Sequence, residues 1–196
     1  LDSSVVWHTV GQATDKAMPV FGPTVTKDLG LARLDVGSIT FAPDSPWMVA
    51  RTTDTTLPEG FLFVAPIADL GKPSIQWTKI SGYEDKITDI ELRGNELFFM
   101  THTNAPRKRV LKLNLRKPQL ANAVEVIASP TNGVLEDFSL THDAVVAAVR
   151  QGTEIILRRY TADKPQGEDI AMPFKGAARL SSDSAHAYTD VLYTLS

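Results

Sequence analysis

The sequence predicts an all-β chain, an arc of about four β-propeller blades built from four antiparallel strands each. Three observations carry that prediction. Strand-sized apolar runs, broken by Gly, Pro, Asn and Asp, continue from end to end. Long helical periodicity is missing; the best helical stretch, 118–124, has room for only a turn or two. Four tight turns, marked by Asp44, Asn95, Asp143 and Asp183, recur at separations of 51, 48 and 40 residues. A four-stranded blade repeats at roughly 40–50 residues. A β-sandwich is the all-β alternative, and the regular hairpin spacing favours the propeller.

Taken in order, residues 4–22 read as the last two strands of one blade, 5–10 and 18–21. Blades then follow at about 33–81, 82–132 and 133–173, and 174–196 supplies the first two strands of another. In the first of these blades Ser38–Phe41 turns through Ala42-Pro43-Asp44-Ser45 into Trp47–Arg51, followed by strands at 61–67 and 75–80. In the second, Asp89–Leu92 turns through Arg93-Gly94-Asn95, with Gly and Asn expected to supply positive φ. Its second strand, around Leu97-Phe98-Phe99-Met100, is apolar on both faces and belongs between sheets. Its third strand alternates, with Leu111, Leu113 and Leu115 on one face and Lys112, Asn114 and Arg116 on the other, and its fourth is expected at 124–128. In the third, Phe138–Leu140 turns through Thr141-His142-Asp143 into 144–150, followed by strands at 154–160 and 169–172. The last hairpin is expected as Ala178–Leu180, a turn at 181–184, and Ala185–Tyr188.

Composition narrows the function. Hydrophobic residues make up 43% and charged residues 22% of the 196, which suits a folded globular chain and argues against disorder. The longest apolar run is Ala144–Val149, far short of the roughly 18 residues a spanning helix needs, so no membrane partner is expected. A formal net charge of −3 gives no electrostatic reason to bind nucleic acid. The local cluster Arg107, Lys108, Arg109, Lys112, Arg116 and Lys117 does not change this. Lys112 and Arg116 are outward positions of an alternating strand, and no aromatics interleave to stack bases. Cysteine is absent, which removes disulfides, Cys-ligated zinc and a thiol nucleophile but assigns no compartment. The four histidines, His8, His102, His142 and His186, show no i, i+4 pairing, and no Asp-x-Asp-x-Asp-Gly loop is present. No metal and no cofactor is expected. The acidic pairs Glu84-Asp85 and Glu136-Asp137 read as solvated charge at blade junctions.

The stretch Glu96-Leu-Phe-Phe-Met-Thr-His-Thr-Asn-Ala-Pro-Arg-Lys-Arg-Val-Leu-Lys-Leu-Asn-Leu115 resembles a blade of the β-propeller domain of the prolyl oligopeptidase family of serine peptidases. Val6-Trp7-His8 upstream, and Val124-Glu125-Val126-Ile127 and Leu135-Glu136 downstream, agree in order, so the resemblance covers nearly the whole chain. It implies a parent that cleaves short peptides after proline, with a separate catalytic α/β-hydrolase domain as the propeller's partner. That domain carries its serine on a Gly-x-Ser-x-Gly elbow. No such elbow occurs here: Gly37-Ser38 is followed by Ile39, Thr40 and Phe41. The expectation is a non-catalytic fragment that gates peptide access, with no catalytic residue of its own. The alternative is a protein-binding propeller scaffold with no peptidase attached. A carbohydrate-binding propeller would need exposed aromatic clusters, and aromatics are only 8%.

The resemblance also implies which rim matters. In the family, the loops between second and third strands face the peptidase domain. Here they are 53–60, 101–107 and 151–153, and the gating residues expected are His102, Thr103, Asn104 and Arg107. A basic residue that shapes the family's substrate cavity aligns with Thr103, where a hydroxyl replaces the charge. Both ends of the chain read as cut through a blade. Such stubs leave open strand edges, and pairing of 177–195 of one copy with 5–21 of another would give a homodimeric ring of about eight blades.

Overall fold

The computed structural model describes residues 3–54, 56–181 and the backbone of 192–195. Three four-stranded antiparallel sheets follow one another along the chain. The first is β3 (Val36–Phe41), β4 (Trp47–Thr53), β5 (Leu62–Pro66) and β6 (Thr78–Ser81), paired in that order. The second is β7 (Ile87–Arg93), β8 (Glu96–Thr101), β9 (Arg109–Asn114) and β10 (Val124–Ile127). The third is β11 (Val134–Leu140), β12 (Val145–Gln151), β13 (Glu154–Thr161) and β14 (Lys164–Asp169). Two-stranded sheets flank them: β1 (Val5–Trp7) with β2 (Met18–Phe21), and β15 (Ala178–Ser181) with β16 (Leu192–Leu195). The two flanking pairs are separate sheets. The first strands β3, β7, β11 and β15 lie side by side, as the innermost strands of successive propeller blades do.

The core lies between blades, which explains why second strands are apolar on both faces. Along β8, Leu97 and Phe99 pack with Val49, Leu62 and Val64 of the first blade. Phe98 and Met100 point the other way, onto Leu135, Phe138, Val145 and Ala147 of the third. Period-two alternation thus sends every second residue to a different neighbour. Phe98 is 1% exposed, in accord with a strand that belongs between sheets, and Val146 on β12 is 3% exposed. Leu111 and Leu113 on β9 and Leu115 just after it pack into one cluster, as the alternation predicts. Val110, on the face of Lys112, is buried in the next.

Several expectations are corrected. The outer strand of the third blade is β14 at Lys164–Asp169, not 169–172. Pro165 and Gly167 made that stretch read as loop, yet an outermost edge strand tolerates both. Gly167 sits at φ +75°, where a Cβ would meet the Arg158 side chain at 2.6 Å. β6 begins at Thr78 and β1 ends at Trp7, both shorter than expected, the latter because Gln12 N–H turns back to Thr9 O at 3.1 Å. In the Arg93-Gly94-Asn95 turn only Gly94, at φ +55°, takes the left-handed conformation. Asn95 contributes its side chain instead: Oδ1 accepts from Trp47 Nε1 at 3.1 Å and from Arg116 Nε at 3.3 Å. The expected strand at 185–188, with Asp183 and His186, lies outside the described residues. β15 pairs with β16, with Ala178 opposite Leu195.

Candidate functional site

The strand order puts two kinds of connection at opposite ends of the blades. Turns between first and second strands form one rim. Loops between second and third strands form the other.

The turn rim is bound to itself. Gly94 N–H donates to Asp44 Oδ2 at 3.0 Å, joining the first turn to the second. Arg93 Nη1 donates to Thr141 O at 2.7 Å and Ala144 O at 3.3 Å, joining the second to the third. The same guanidinium lies 4.9 Å from the centroid of the Phe98 ring. His142 is exposed at the tip of the third turn.

The loop rim is built differently. The loop after β4 leaves the sheet and returns through Gly60, whose position only glycine can fill, since a Cβ would stand 1.5 Å from Thr52 O. Arg51 anchors it, donating Nη2 to Pro58 O and, at 2.9 Å, to Thr88 O on β7. Burial lowers the Arg51 pKa, opposed by the nearby charges of Asp89 and Glu59. Glu59 then reaches across to the second blade, its Oε1 2.7 Å from His102 Nε2. That hydrogen bond holds the Glu59 carboxyl below its usual pKa.

The loop 102–108 is pinned at both ends. Thr101 Oγ1 donates to Asp85 O at 2.7 Å and accepts from Thr103 N–H at 3.0 Å; Thr103 Oγ1 donates to Glu84 O at 3.4 Å. Asn104 is exposed at φ +53° and Lys108 takes φ +60°. Arg107 Nη1 donates to Thr131 O and, at 3.4 Å, to Pro130 O in the connection to the third blade. So the structure unites His102 with Glu59, an acid the sequence did not single out. Thr103, Asn104 and Arg107 do not converge with it; Arg107 is tied at the other end of the loop. The third connection is short, with Gln151 opposite Glu154.

Further acids escaped the sequence reading because they alternate with apolar residues as any solvated strand face does. Glu91 on β7 accepts from Ser139 Oγ at 3.0 Å and from Leu140 N–H at 2.8 Å on β11. Burial raises its pKa to about 7 against those two bonds, and also raises that of Asp89. Asp137 repeats the device, accepting from Leu180 N–H of β15 at 3.3 Å. Glu136-Asp137 is therefore not loop charge: both lie within β11, and Glu136 pairs with Arg150 at 2.8 Å. Two members of the basic cluster are paired with carboxylates, Lys112 with Glu96 at 2.9 Å and Arg109 with Glu125 at 3.5 Å. Among the described residues, no three His, Asp or Glu side chains gather closely enough to hold a metal ion.

The sequence profile of the prolyl oligopeptidase N-terminal β-propeller domain matches residues 2–194. The chain belongs to that family. Solved structures agree on the fold of this prolyl oligopeptidase propeller segment. It superposes on prolyl oligopeptidase B from Galerina marginata, in a variant bound to a 35-residue hydrolysis and macrocyclization substrate, with TM-score 0.83 and 20% identity, covering 100% of this chain and 26% of that one. The apo form of the same enzyme gives TM-score 0.80 and 19% identity, covering 100% and 27%. A prolyl endopeptidase, one of two studied for the role of inter-domain dynamics in catalysis and specificity, gives 0.75 and 16%, covering 98% and 26%. The chain thus spans about a quarter of the proteins it resembles. A search of curated proteins finds no significant sequence relative.

Proposed function

We propose that this chain is a non-catalytic propeller segment of a prolyl oligopeptidase-type serine peptidase. Its loop rim faces a catalytic α/β-hydrolase domain of the same parent chain and controls the access of short peptides to it. The observation that carries this reading is the family match over 2–194, set beside a sequence with no Gly-x-Ser-x-Gly elbow. His102, Thr103, Asn104 and Arg107 are the gating residues, and Glu59 joins them through His102. Thr103 presents a hydroxyl and no charge to a passing peptide.

The physical role follows from the rim's construction. A gate needs a rigid frame and loops that can adjust. The frame is the inter-blade core, and the loops at 53–60 and 101–107 are fastened to it by a few polar contacts. The short third connection contributes an edge and no reach.

A serine-directed phosphonylating probe tests the reading. The chain alone should remain unlabelled and should leave a proline-containing chromogenic peptide intact. A polypeptide extended along its parent reading frame should contain a Gly-x-Ser-x-Gly elbow and take the label. Labelling of the isolated chain overturns the non-catalytic assignment. A parent with no elbow favours the other reading, a propeller that binds a protein partner.

A further inference from the structure

Five asparagines stand in the sequence, at 95, 104, 114, 122 and 132, and only Asn132 is followed by glycine. An asparagine carboxamide is open to attack by the backbone nitrogen of the next residue. The attack needs a carboxamide free to turn and a backbone N–H free of hydrogen bonds. Four of the five asparagines are held. Asn95 Oδ1 accepts from Trp47 Nε1 and Arg116 Nε. Asn114 Oδ1 accepts from Arg116 N–H at 2.9 Å, and the amide that follows it, Leu115 N–H, donates to Asn95 O at 2.8 Å. Asn122 Nδ2 donates to Gln119 Oε1 at 3.1 Å, and Ala123 N–H donates to Leu120 O at 3.0 Å. Asn104 is exposed, but the next residue, Ala105, is buried and its N–H donates to His102 O at 3.1 Å.

Asn132 differs on every count. It is exposed in the connection from β10 to β11, and among the described residues no hydrogen bond holds its carboxamide or the Gly133 N–H. The fold also keeps the glycine in place. Gly133 sits at φ +89°, and a Cβ there would stand 2.4 Å from Arg150 O. The turn into β11 thus requires the one residue that leaves the attacking nitrogen unshielded.

The same connection clasps Arg107 twice. Arg107 Nη1 donates to Thr131 O and, at 3.4 Å, to Pro130 O, while Leu135 N–H donates to Arg107 O at 3.1 Å. Residue 132 lies between the two clasps. Leu135 is 0% exposed and fixed in the core, so a change in main-chain length at 132 falls on the side-chain clasp.

We infer that Asn132-Gly133 is a self-modification site whose conversion releases the Arg107 side chain from the 130–131 carbonyls. Gly133 N forms a bond to Asn132 Cγ, the Cγ–Nδ2 bond breaks, and ammonia leaves with the Gly133 amide proton. Water then opens the cyclic imide. Opening at Cγ leaves aspartate and restores the main chain. Opening at the main-chain carbonyl leaves isoaspartate, with the backbone routed through the side chain and one atom longer. The inference goes beyond the gating reading and holds whatever the loop rim faces.

Peptide mapping by mass spectrometry tests it, on the folded chain aged at neutral pH and body temperature, with the chain in urea as reference. Asn132 should gain one mass unit ahead of the other four asparagines, as a mixture of aspartate and isoaspartate. Folding should slow Asn132 less than it slows any of the other four. Asn132→Gln, whose carboxamide would have to close a larger ring, should stay unconverted and serves as the control of equal age. Trypsin reads the released side chain, because cleavage after Arg107 needs that guanidinium in the protease pocket. The isoaspartate form should be cut there about tenfold faster than aged Asn132→Gln, the size of one lost hydrogen bond. Asn132→Asp keeps the main chain and should be cut at the rate of fresh protein. Asn132 left intact in the folded chain while it converts in urea overturns the site. Isoaspartate formed with cleavage after Arg107 unchanged, or Asn132→Asp cut as fast as the isoaspartate form, overturns the release. Neither readout involves a hydrolase domain, so these outcomes and those of the phosphonylating probe are read separately.

Discussion

The two rims of the propeller are made by the same strands and solve the same problem in opposite ways. On the turn rim, Asp44, Arg93 and Asn95 spend their polar atoms on the turn or strand of a neighbouring blade. Each turn is short, so its backbone groups lie close enough to be capped by a neighbour. On the loop rim, the chain strays farther from the sheet. The first two blades are joined there by Arg51 and by one carboxylate–imidazole contact, Glu59 with His102. One rim is a lock and the other is the proposed working surface, and the difference comes from connection length and from which side chains the connections carry.

The largest effect should come from the core beneath the lock. Phe98→Ala removes a ring buried between the second and third blades and under the Arg93 guanidinium. It should cost about 3–5 kcal/mol in urea unfolding. A loss under about 1 kcal/mol would place β8 at an edge and dissolve the inter-blade core.

Next comes the lock itself. Arg93→Ala leaves Thr141 O and Ala144 O without their charged donor. It should cost roughly 2–3 kcal/mol. An effect as small as that of a surface substitution would show that the turn rim is no tighter than the loop rim.

Glu91 sharpens the comparison by pH. Its folded pKa, about 7, lies above the usual 4.5, so the folded state holds the proton more tightly than the unfolded one. The resulting stability is fully present below about pH 4.5 and is lost as pH rises through 7. Glu91→Gln can keep acceptance from Leu140 N–H and donate to Ser139 Oγ, as the protonated acid does. At pH 8 it should be more stable than the wild type by roughly 1–2 kcal/mol, and the two should converge near pH 4. A variant less stable at every pH would show that the ionised carboxylate is what the blades need.

The smallest effect belongs to the loop rim. The folded pKa of Glu59 is depressed, so its contribution is present above the usual carboxylate value and lost as pH falls below it. Glu59→Gln should cost under about 1 kcal/mol at pH 6, and less in high salt. A cost of several kcal/mol would make the loop rim a second lock.

The same contrast explains what could be read from the sequence. Turn residues act locally, so Pro43-Asp44, Gly94-Asn95 and His142-Asp143 announced three hairpins, and the double-faced apolar strand around Phe98 announced packing between sheets. β14 was hidden because Pro165 and Gly167 argue against a strand unless that strand is known to be an edge. Within the Arg93–Asn95 turn, the need for positive φ was legible at Gly94, but the use of Asn95 as a side-chain acceptor was not, since Trp47 lies 48 residues away. His102 was singled out, while its partner Glu59 was not, because they are 43 residues apart. Only the stacking of blades brings such residues together.

Backbone amide hydrogen exchange, measured on this chain and on a longer polypeptide that includes the proposed catalytic domain, tests the assignment of the two rims most directly. The account predicts that Gly94, Leu140 and Thr141 exchange slowly in both, while amides of 53–60 and 101–107 exchange faster in the short chain and gain protection in the long one. Protection gained instead at the turns around Asp44, Asn95 and Asp143 would contradict it and put the working surface on the other rim.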